Sequence, residues 1–176
     1  MAGAGRTATG LRVLLDFDDA VDCRSWAPVN DVVMGGVSSS AFTQAQPGIA
    51  RFAGIVSLEN SGGFASVRTT PRAWHTSGAR AFVLRVRGDG KGYKVTVRTD
   101  DAFDGIQYQS RFAPPAADWR DVRLPVDSFA ATFRGRNVPG APALDPAHVR
   151  ILGLTISDRQ AGAFELLIDW VAAEIR

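Results

Sequence analysis

The sequence predicts an all-β protein of the antiparallel sandwich class. About ten short segments alternate apolar and polar residues, turn residues separate them, and almost nothing has helical character. The turns recur roughly every 8–12 residues, which is typical of sandwiches and barrels. Because strands are predicted near both ends, we expect the first and last to pair within a single domain over residues 11–176, after a flexible N-terminus over residues 1–10.

The first half of the chain supplies four of these strands. Leu11 to Phe17 is an apolar run that ends in acidic residues, so it predicts the first strand. Ile49 to Leu58 alternates in character, and the turn Asn60 to Gly63 separates it from a strand that begins over Phe64 to Arg68. Ala81 to Arg87 alternates cleanly, with its arginines on the predicted outer face.

The second half continues the same pattern. Its predicted strands are Tyr93–Arg98, Gln107–Phe112, Trp119–Leu124, Val149–Ile156 and a last strand in which Phe164, Leu166, Ile168 and Trp170 share one face. Pro125 to Phe133 is the one segment predicted to form a helical turn, since proline suits the first helical position. The predicted buried residues are Phe52, Phe82, Leu84, Val95, Val97, Leu154, Phe164, Ile168 and Trp170.

The composition of the chain limits the classes of function that it can have. The chain has 176 residues and a net charge of +2, so no strong field indicates binding to nucleic acid. No apolar run reaches the roughly 18 residues that a membrane helix needs, and the N-terminus lacks the apolar core of a signal peptide. The sequence therefore predicts a soluble, cytoplasmic protein without a transmembrane segment, peripheral to a membrane only through a partner.

No catalytic or metal-binding constellation is recognisable. The serines that follow Gly36 do not match G-x-S-x-G, and His75 and His148 lack ligand spacing. The acidic run Asp100 to Gly105 fails the EF-hand spacing, which favours a solvated turn over a calcium site. We therefore predict a protein that is not an enzyme and has no cofactor, metal site or catalytic residue.

The stretch from Trp26 to Ser38 carries the strongest local signal. It combines an Asn-Asp pair, a methionine and two adjacent glycines, which permit a tight turn and close backbone approach. Such a stretch is either a well-packed connection into a strand or a binding loop. Together with the loop that precedes the last strand, it supplies the candidate binding residues Asn30, Asp31, Met34, Gly35, Gly36, Asp158, Arg159 and Gln160.

Three ordered motifs resemble one known family. They are W-x-x-V-N-D-x-V-M-G-G-V-S at residues 26–38, L-E-N-S-G-G-F at 58–64 and L-G-L-x-I-S-D-R-Q-A-G-x-F at 152–164. This combination resembles the complex I intermediate-associated protein family. The resemblance implies a jelly-roll sandwich of the galactose-binding-domain-like kind. It also implies an assembly chaperone for respiratory complex I (NADH:ubiquinone oxidoreductase), with protein partners such as subunits of that complex.

Three functional hypotheses remain open at this point. A non-catalytic protein-binding module would expose an apolar patch. A carbohydrate-binding module, which the sandwich architecture permits, would expose aromatic rings beside Asp, Asn and Arg on a concave face. An enzyme with an unrecognised acid pair would hold a carboxylate with a strongly shifted pKa in a cleft.

The topology predicts where a site would lie. If the first and last strands pair antiparallel, the end of the first near Phe17 lies beside the start of the last near Phe164. The segments 26–36 and 157–162 should then meet at one end of the sandwich, with Asp31 and Arg159 as a charge pair. Such a network either locks the N-terminal segment over the core or forms a recognition surface.

Overall fold

A computed structural model describes residues 10–175 and shows two β-sheets that face each other. The predicted flexible N-terminus lies, apart from Gly10, outside the described residues. In chain order the strands are β1 Leu11–Leu15, β2 Trp26–Pro28, β3 Ser39–Gln46, β4 Ile49–Val56, β5 Ala65–Thr69, β6 Ala79–Arg87, β7 Tyr93–Arg98, β8 Gln107–Phe112, β9 Trp119–Pro125, β10 Ala130–Phe133, β11 Arg136–Asn137, β12 Ile151–Ile156 and β13 Gly162–Ile175.

Sheet A has the order β3-β4-β13-β6-β9, and β1 also pairs with β13. Sheet B has the order β11-β10-β8-β7-β12-β5-β2. Each pairing between these strands is antiparallel. The predicted fold class, an antiparallel jelly-roll sandwich, is confirmed.

The helical segments are short. α1 spans Ala20–Arg24, and the Asp19 side chain begins it by accepting a hydrogen bond from the backbone N–H of Val21 at 2.9 Å. Four 3₁₀ turns cover Asp31–Met34, Glu59–Ser61, Val126–Ser128 and Pro146–His148. No helix within residues 10–175 is long and apolar enough to cross a membrane.

Several elements differ from the sequence prediction. The pattern missed α1, β2, β3 and β11, which carry few large apolar residues or are very short. The predicted helical turn over residues 125–133 ends after Ser128, because Phe129 turns into the core and Ala130–Phe133 pairs with β8. Pairing with a neighbouring strand thus overrides the local helical preference.

The core lies between the two sheets. The nine residues predicted to be buried are all buried, and eight of them belong to one continuous cluster. Trp170 is buried elsewhere, against Val83 and Ala172, because the register of β13 shifts between Ile168 and Trp170. The bulge moves Trp170 to the opposite face, so the predicted face shared with Ile168 is wrong there.

The first and last strands pair antiparallel, as predicted. Their register runs from Leu11 opposite Glu174 to Leu15 opposite Val171, so β1 covers only the second half of β13. β4 pairs with the first half, from Gly162 to Ile168. The end of β1 therefore does not lie beside Phe164, and the predicted neighbourhood of Phe17 and Phe164 is wrong.

Two loops nevertheless run side by side across one end of the sandwich. Residues 57–64 connect β4 to β5, and residues 157–161 connect β12 to β13. Because β4 pairs with β13 and β5 pairs with β12, both ends of the first loop lie beside both ends of the second. We call this end, formed by residues 29–38, 57–64 and 157–162, the site end.

Candidate functional site

Asp31 is the centre of the hydrogen-bond network at the site end. Its side chain is 0% exposed, and one oxygen, Oδ2, accepts hydrogen bonds from the Ser38 hydroxyl at 2.6 Å and from the backbone N–H of Gly63 at 2.8 Å. The backbone N–H groups of Ser38, at 3.0 Å, and Phe64, at 3.3 Å, complete the set. A single carboxylate therefore fixes the turn at residues 31–38 onto the loop 57–64.

The charge of Asp31 is satisfied without a cation. Burial alone would raise the pKa of Asp31, but the hydrogen bonds from Ser38, Gly63 and Phe64 outweigh it and lower the pKa below the ordinary value. A buried carboxylate needs such partners, since an unpaired buried charge is costly. The charged form of Asp31 thus stabilises the site end.

Both glycines of the Gly-Gly pair are required, for different reasons. Gly35 follows the 3₁₀ turn with φ +88°, a left-handed conformation that residues with a Cβ resist. Gly36 packs against Asp31, and a Cβ added at Gly36 would lie 2.4 Å from Asp31 Cγ. The first glycine turns the chain and the second makes room for the carboxylate.

Asn30 joins the same turn to sheet B. Its Oδ1 accepts hydrogen bonds from the Ser40 hydroxyl at 2.7 Å and from the backbone N–H of Ser66 at 3.0 Å. The backbone N–H of Val29 donates to the carbonyl of Ser66 at 2.8 Å, which extends the pairing of β2 with β5. Asn30 therefore holds the turn against a strand of each sheet.

The turn that these contacts hold carries exposed apolar side chains. Val32 is 61% exposed, Met34 is 62% exposed and Val37 is 51% exposed. Apolar side chains grouped on a short, fixed segment are typical of contact surfaces rather than of solvated turns. Of the predicted candidates on this segment, Met34 is thus the one whose side chain faces solvent.

The loop before β13 contains the other three candidates. Asp158 binds Lys94 Nζ at 2.9 Å and Arg111 at 3.1 Å, and these cations hold its pKa below the ordinary value against the opposing effect of burial. Gln160 bonds both the N–H and the carbonyl of Gly92 at 2.8 Å. Arg159 is exposed, with φ +59°, and its guanidinium makes no ion pair with any residue from 10 to 175.

The two predicted halves therefore lie at the same end, but the predicted charge pair is wrong. Asp31 is surrounded by backbone N–H donors and the Ser38 hydroxyl. Asp158 instead pairs with Lys94 of β7 and Arg111 of β8. The loop 57–64 stands between the halves and contacts Asp31 directly. The hydrogen-bond donors of Asp31 are the Ser38 hydroxyl and the backbone N–H groups of Ser38, Gly63 and Phe64, and Arg159 is exposed.

Sequence reasoning missed Ser38, Gly62 and Gly63 as members of the site. A Cβ at Gly62 would lie 2.6 Å from Asp31 Oδ2, so the second Gly-Gly pair serves the same carboxylate as the first. The sequence contained a hint of this arrangement, because each Gly-Gly pair is close in sequence to a residue that can donate or accept a hydrogen bond. Only the fold shows that both pairs surround one side chain.

The acidic loop at the opposite end is occupied by internal ion pairs. Asp100 pairs with Arg98 at 3.1 Å, while Asp101 and Asp104 pair with Arg150 and Arg134 at 2.6 Å. Within residues 10–175 no group of three His, Cys, Asp or Glu residues is placed to hold a metal ion. The carboxylates of Asp100, Asp101 and Asp104 are therefore each engaged by an arginine side chain.

Comparison with known proteins shows the family of the chain. Residues 15–168 match the family described as Complex I intermediate-associated protein 30 (CIA30). The mouse protein "Complex I intermediate-associated protein 30, mitochondrial" is 28% identical over 91% of this chain, and its Neurospora crassa namesake is 25% identical over 93%. The chain spans 55% of the mouse relative and 73% of the Neurospora relative.

Solved structures share the fold. The family 11 carbohydrate-binding module of a Clostridium thermocellum cellulosomal cellulase has a TM-score of 0.69 at 14% identity, covering 94% of this chain and 95% of that one. An agarase has a TM-score of 0.61 at 11% identity over 96% of this chain and 25% of its own. At such identities the likeness concerns the sandwich alone. The family match spans most of the sequence, and the chain therefore belongs to the CIA30 family.

Proposed function

We propose that this chain is a non-catalytic protein-binding module that assists the assembly of respiratory complex I. The observation that carries the proposal is the exposure of Val32, Met34 and Val37 on a turn fixed by buried Asp31. A turn that is already ordered loses little further conformational freedom on binding. Family membership and the names of the relatives support complex I as the target.

The eight candidate residues divide between support and contact in this proposal. Those that hold the surface in place are Asn30, Asp31, Gly35, Gly36, Asp158 and Gln160. Met34 contacts the partner through its apolar side chain, and Arg159 offers at the rim a guanidinium that makes no ion pair within residues 10–175. Exposed charge beside an apolar centre is the common anatomy of protein interfaces.

The location of this function stays a prediction. The sequence predicts a cytoplasmic protein, whereas the mouse and Neurospora relatives are named as mitochondrial. We propose that the chain acts beside the membrane at which complex I is assembled, and that it reaches this membrane through its partner.

Carbohydrate binding is supported by fold likeness only. Sugar recognition uses exposed aromatic faces, but Tyr93 and Tyr108 are buried in the core. Trp26, Trp74 and Trp170 are buried as well, and half-buried Trp119 lies 5.7 Å beneath the guanidinium of Arg87. Within the described residues no tyrosine or tryptophan therefore offers a free platform, and protein binding is the better supported function.

An affinity experiment tests the proposal. The tagged chain is incubated with solubilised membranes of the native cell, and the recovered complex I subunits are quantified by mass spectrometry. The test variant combines Val32→Ser, Met34→Ser and Val37→Ser. The control changes exposed apolar residues away from both the site end and Phe103, namely Val13→Ser, Val21→Ser and Ile106→Ser.

We expect the chain and its control variant to enrich complex I subunits, and the test variant to lose at least about 90% of that recovery. Truncation of a hot-spot residue costs about 2 kcal/mol or more of binding, which is about thirtyfold in affinity. Thermal unfolding of all three proteins separates lost binding from lost folding. Equal recovery by test and control variants, or no enrichment of any complex I subunit, would contradict the proposal.

A further inference from the structure

The outer face of sheet B carries a row of hydrogen-bonding side chains that the site end does not use. The strand register places Arg68, Gly153, Thr96 and Gln109 opposite one another on β5, β12, β7 and β8. Their sequence neighbours Val67, Leu152, Val95 and Tyr108 lie in the core, so these positions point outward. We call this set the Arg68 row.

Gly153 leaves space for the neighbouring side chains of the row. A Cβ at this position would lie 2.3 Å from Thr96 Oγ1 and 3.5 Å from Arg68 Cβ. The Thr96 hydroxyl of β7 therefore lies directly above Gly153 of β12, in the space that a side chain at Gly153 would fill. Neither this hydroxyl nor the Gln109 amide has a hydrogen-bond partner among the residues that the structure describes.

Positive charge is in excess at this row. Arg68 makes no ion pair within residues 10–175, and its guanidinium donates to the Phe103 carbonyl at 2.9 Å. Arg98 donates to the same carbonyl at 3.3 Å, and its Nε is a buried donor without a partner in the described part of the chain. Burial, together with the nearby charge of Arg98, lowers the pKa of Arg68 despite the opposing effect of Asp104.

The rest of the face does not offset this charge. Arg68, Lys94, Arg98 and Arg111 lie on this face, and within residues 10–175 their ion pairs are with Asp100 and with a shared Asp158. Beside Arg68 the ring of Phe103 is 70% exposed, with the guanidinium 5.4 Å from its centroid. The face thus offers cationic and neutral donors together with an apolar contact.

We propose that the Arg68 row binds an extended acidic segment of a partner protein. A carboxylate of the segment is held by Arg68, while Thr96 and Gln109 hydrogen-bond its backbone. Strands lie about 4.8 Å apart, so Arg68 and Gln109 are about 14 Å apart, which matches roughly four residues of extended chain at about 3.3 Å each. A single phosphate would not span the row, and a neutral sugar would leave the charge of Arg68 unmatched.

Fluorescence anisotropy with a labelled peptide tests this site. The probe is a fluorescein-labelled peptide of alternating glutamate and valine, compared with the same peptide carrying glutamine. We expect the glutamate peptide to bind in a salt-sensitive way, and the glutamine peptide to bind at least about tenfold more weakly. Mixed-linked β-glucan tetrasaccharide and inorganic phosphate should not displace it.

Variants locate the binding on the row. Arg68→Gln and the isosteric Thr96→Val should each weaken the glutamate peptide, the first by about tenfold or more. Arg87→Gln, which removes an arginine from the outer face of sheet A, should leave the affinity unchanged. Thermal unfolding of each variant confirms that it is folded.

The proposal is overturned if Arg68→Gln binds as well as the unchanged chain, if both peptides bind equally, or if neither binds. Displacement by phosphate alone would indicate a simple anion site, and displacement by the glucan a sugar site, and either result would replace the proposal. The Val32, Met34 and Val37 triple variant should bind the peptide normally. A failure here is therefore distinguishable from a failure of the turn at the site end.

Discussion

Replacing Gly36 by alanine should destabilise the protein more than replacing Gly35, although only Gly35 has a positive φ. At Gly35 the added methyl group meets no atom within 4 Å, so the cost is the strain of the left-handed backbone, about 1–2 kcal/mol. At Gly36 the methyl group would lie 2.4 Å from both Cγ and Oδ1 of Asp31. The carboxylate must then move by about 1 Å to restore an ordinary contact near 3.5 Å.

The size of the Gly36 effect follows from the hydrogen bonds that the carboxylate would lose. Asp31 accepts them from Ser38, Gly63 and Phe64, and a hydrogen bond to a charged group contributes about 1.5–3 kcal/mol. Loss of one or two bonds gives a predicted cost of about 3 kcal/mol for Gly36→Ala. This exceeds the cost at Gly35 by about 1–2 kcal/mol.

Urea unfolding followed by tryptophan fluorescence measures both costs. Each variant should lower the transition midpoint with an unchanged slope, which indicates a change in native stability. A double-mutant cycle with Asp31→Ala sharpens the test, because without the carboxylate the cost of Gly36→Ala should fall by more than about 1 kcal/mol. A Gly36 cost no larger than the Gly35 cost, or additive effects in the cycle, would refute the reasoning.

Three further predictions concern other parts of the structure. The folded pKa of Asp31 is lowered below its ordinary value of 3.8. The stability that its charged form gives is therefore complete well above pH 4 and is lost as pH falls through the folded pKa. In acid unfolding, Asp31→Asn should lose less stability over this range than the unchanged chain. Burial, with the charge of Asp22 adding to it, raises the pKa of the Cys23 thiol from 9.0 to about 11, so iodoacetamide at pH 8 should alkylate it about 100-fold more slowly in the folded chain than in urea. Gln160→Ala removes the bonds to Gly92 and should lower the free energy of unfolding by about 1–2 kcal/mol, whereas an unchanged urea midpoint would show that the loops are held by other contacts.

The sandwich was predictable from the alternation of apolar and polar residues in its central strands. Segments such as Gln107–Phe112 alternate because one face packs in the core and the other is partly or fully exposed. The short edge strands were not predictable, since β3 contains one large apolar residue and β11 has only two residues. The bulge at Trp170 also escapes the pattern, because both faces of β13 are apolar there.

The candidate site was predictable in position more than in chemistry. The prediction that Asp31 and Asp158 lie at one end of the sandwich is met, but through the adjacent loops 57–64 and 157–161 and not through the expected contact of Phe17 with Phe164. The charge pair with Arg159 was wrong, because sequence alone does not reveal which backbone N–H groups point at a carboxylate. Gly63 and Phe64 supply those groups only after the loop 57–64 folds over the turn.

The most direct test of the proposed function is site-specific photo-cross-linking in the native cell. A photoreactive phenylalanine analogue is introduced at Met34, which is 62% exposed at the site end, and in a control at Val21, which is 52% exposed at the opposite end. We predict that the Met34 position cross-links to a subunit of complex I and that the Val21 position does not. Complex I cross-links that are absent at Met34, or equally abundant at Val21, would contradict the account.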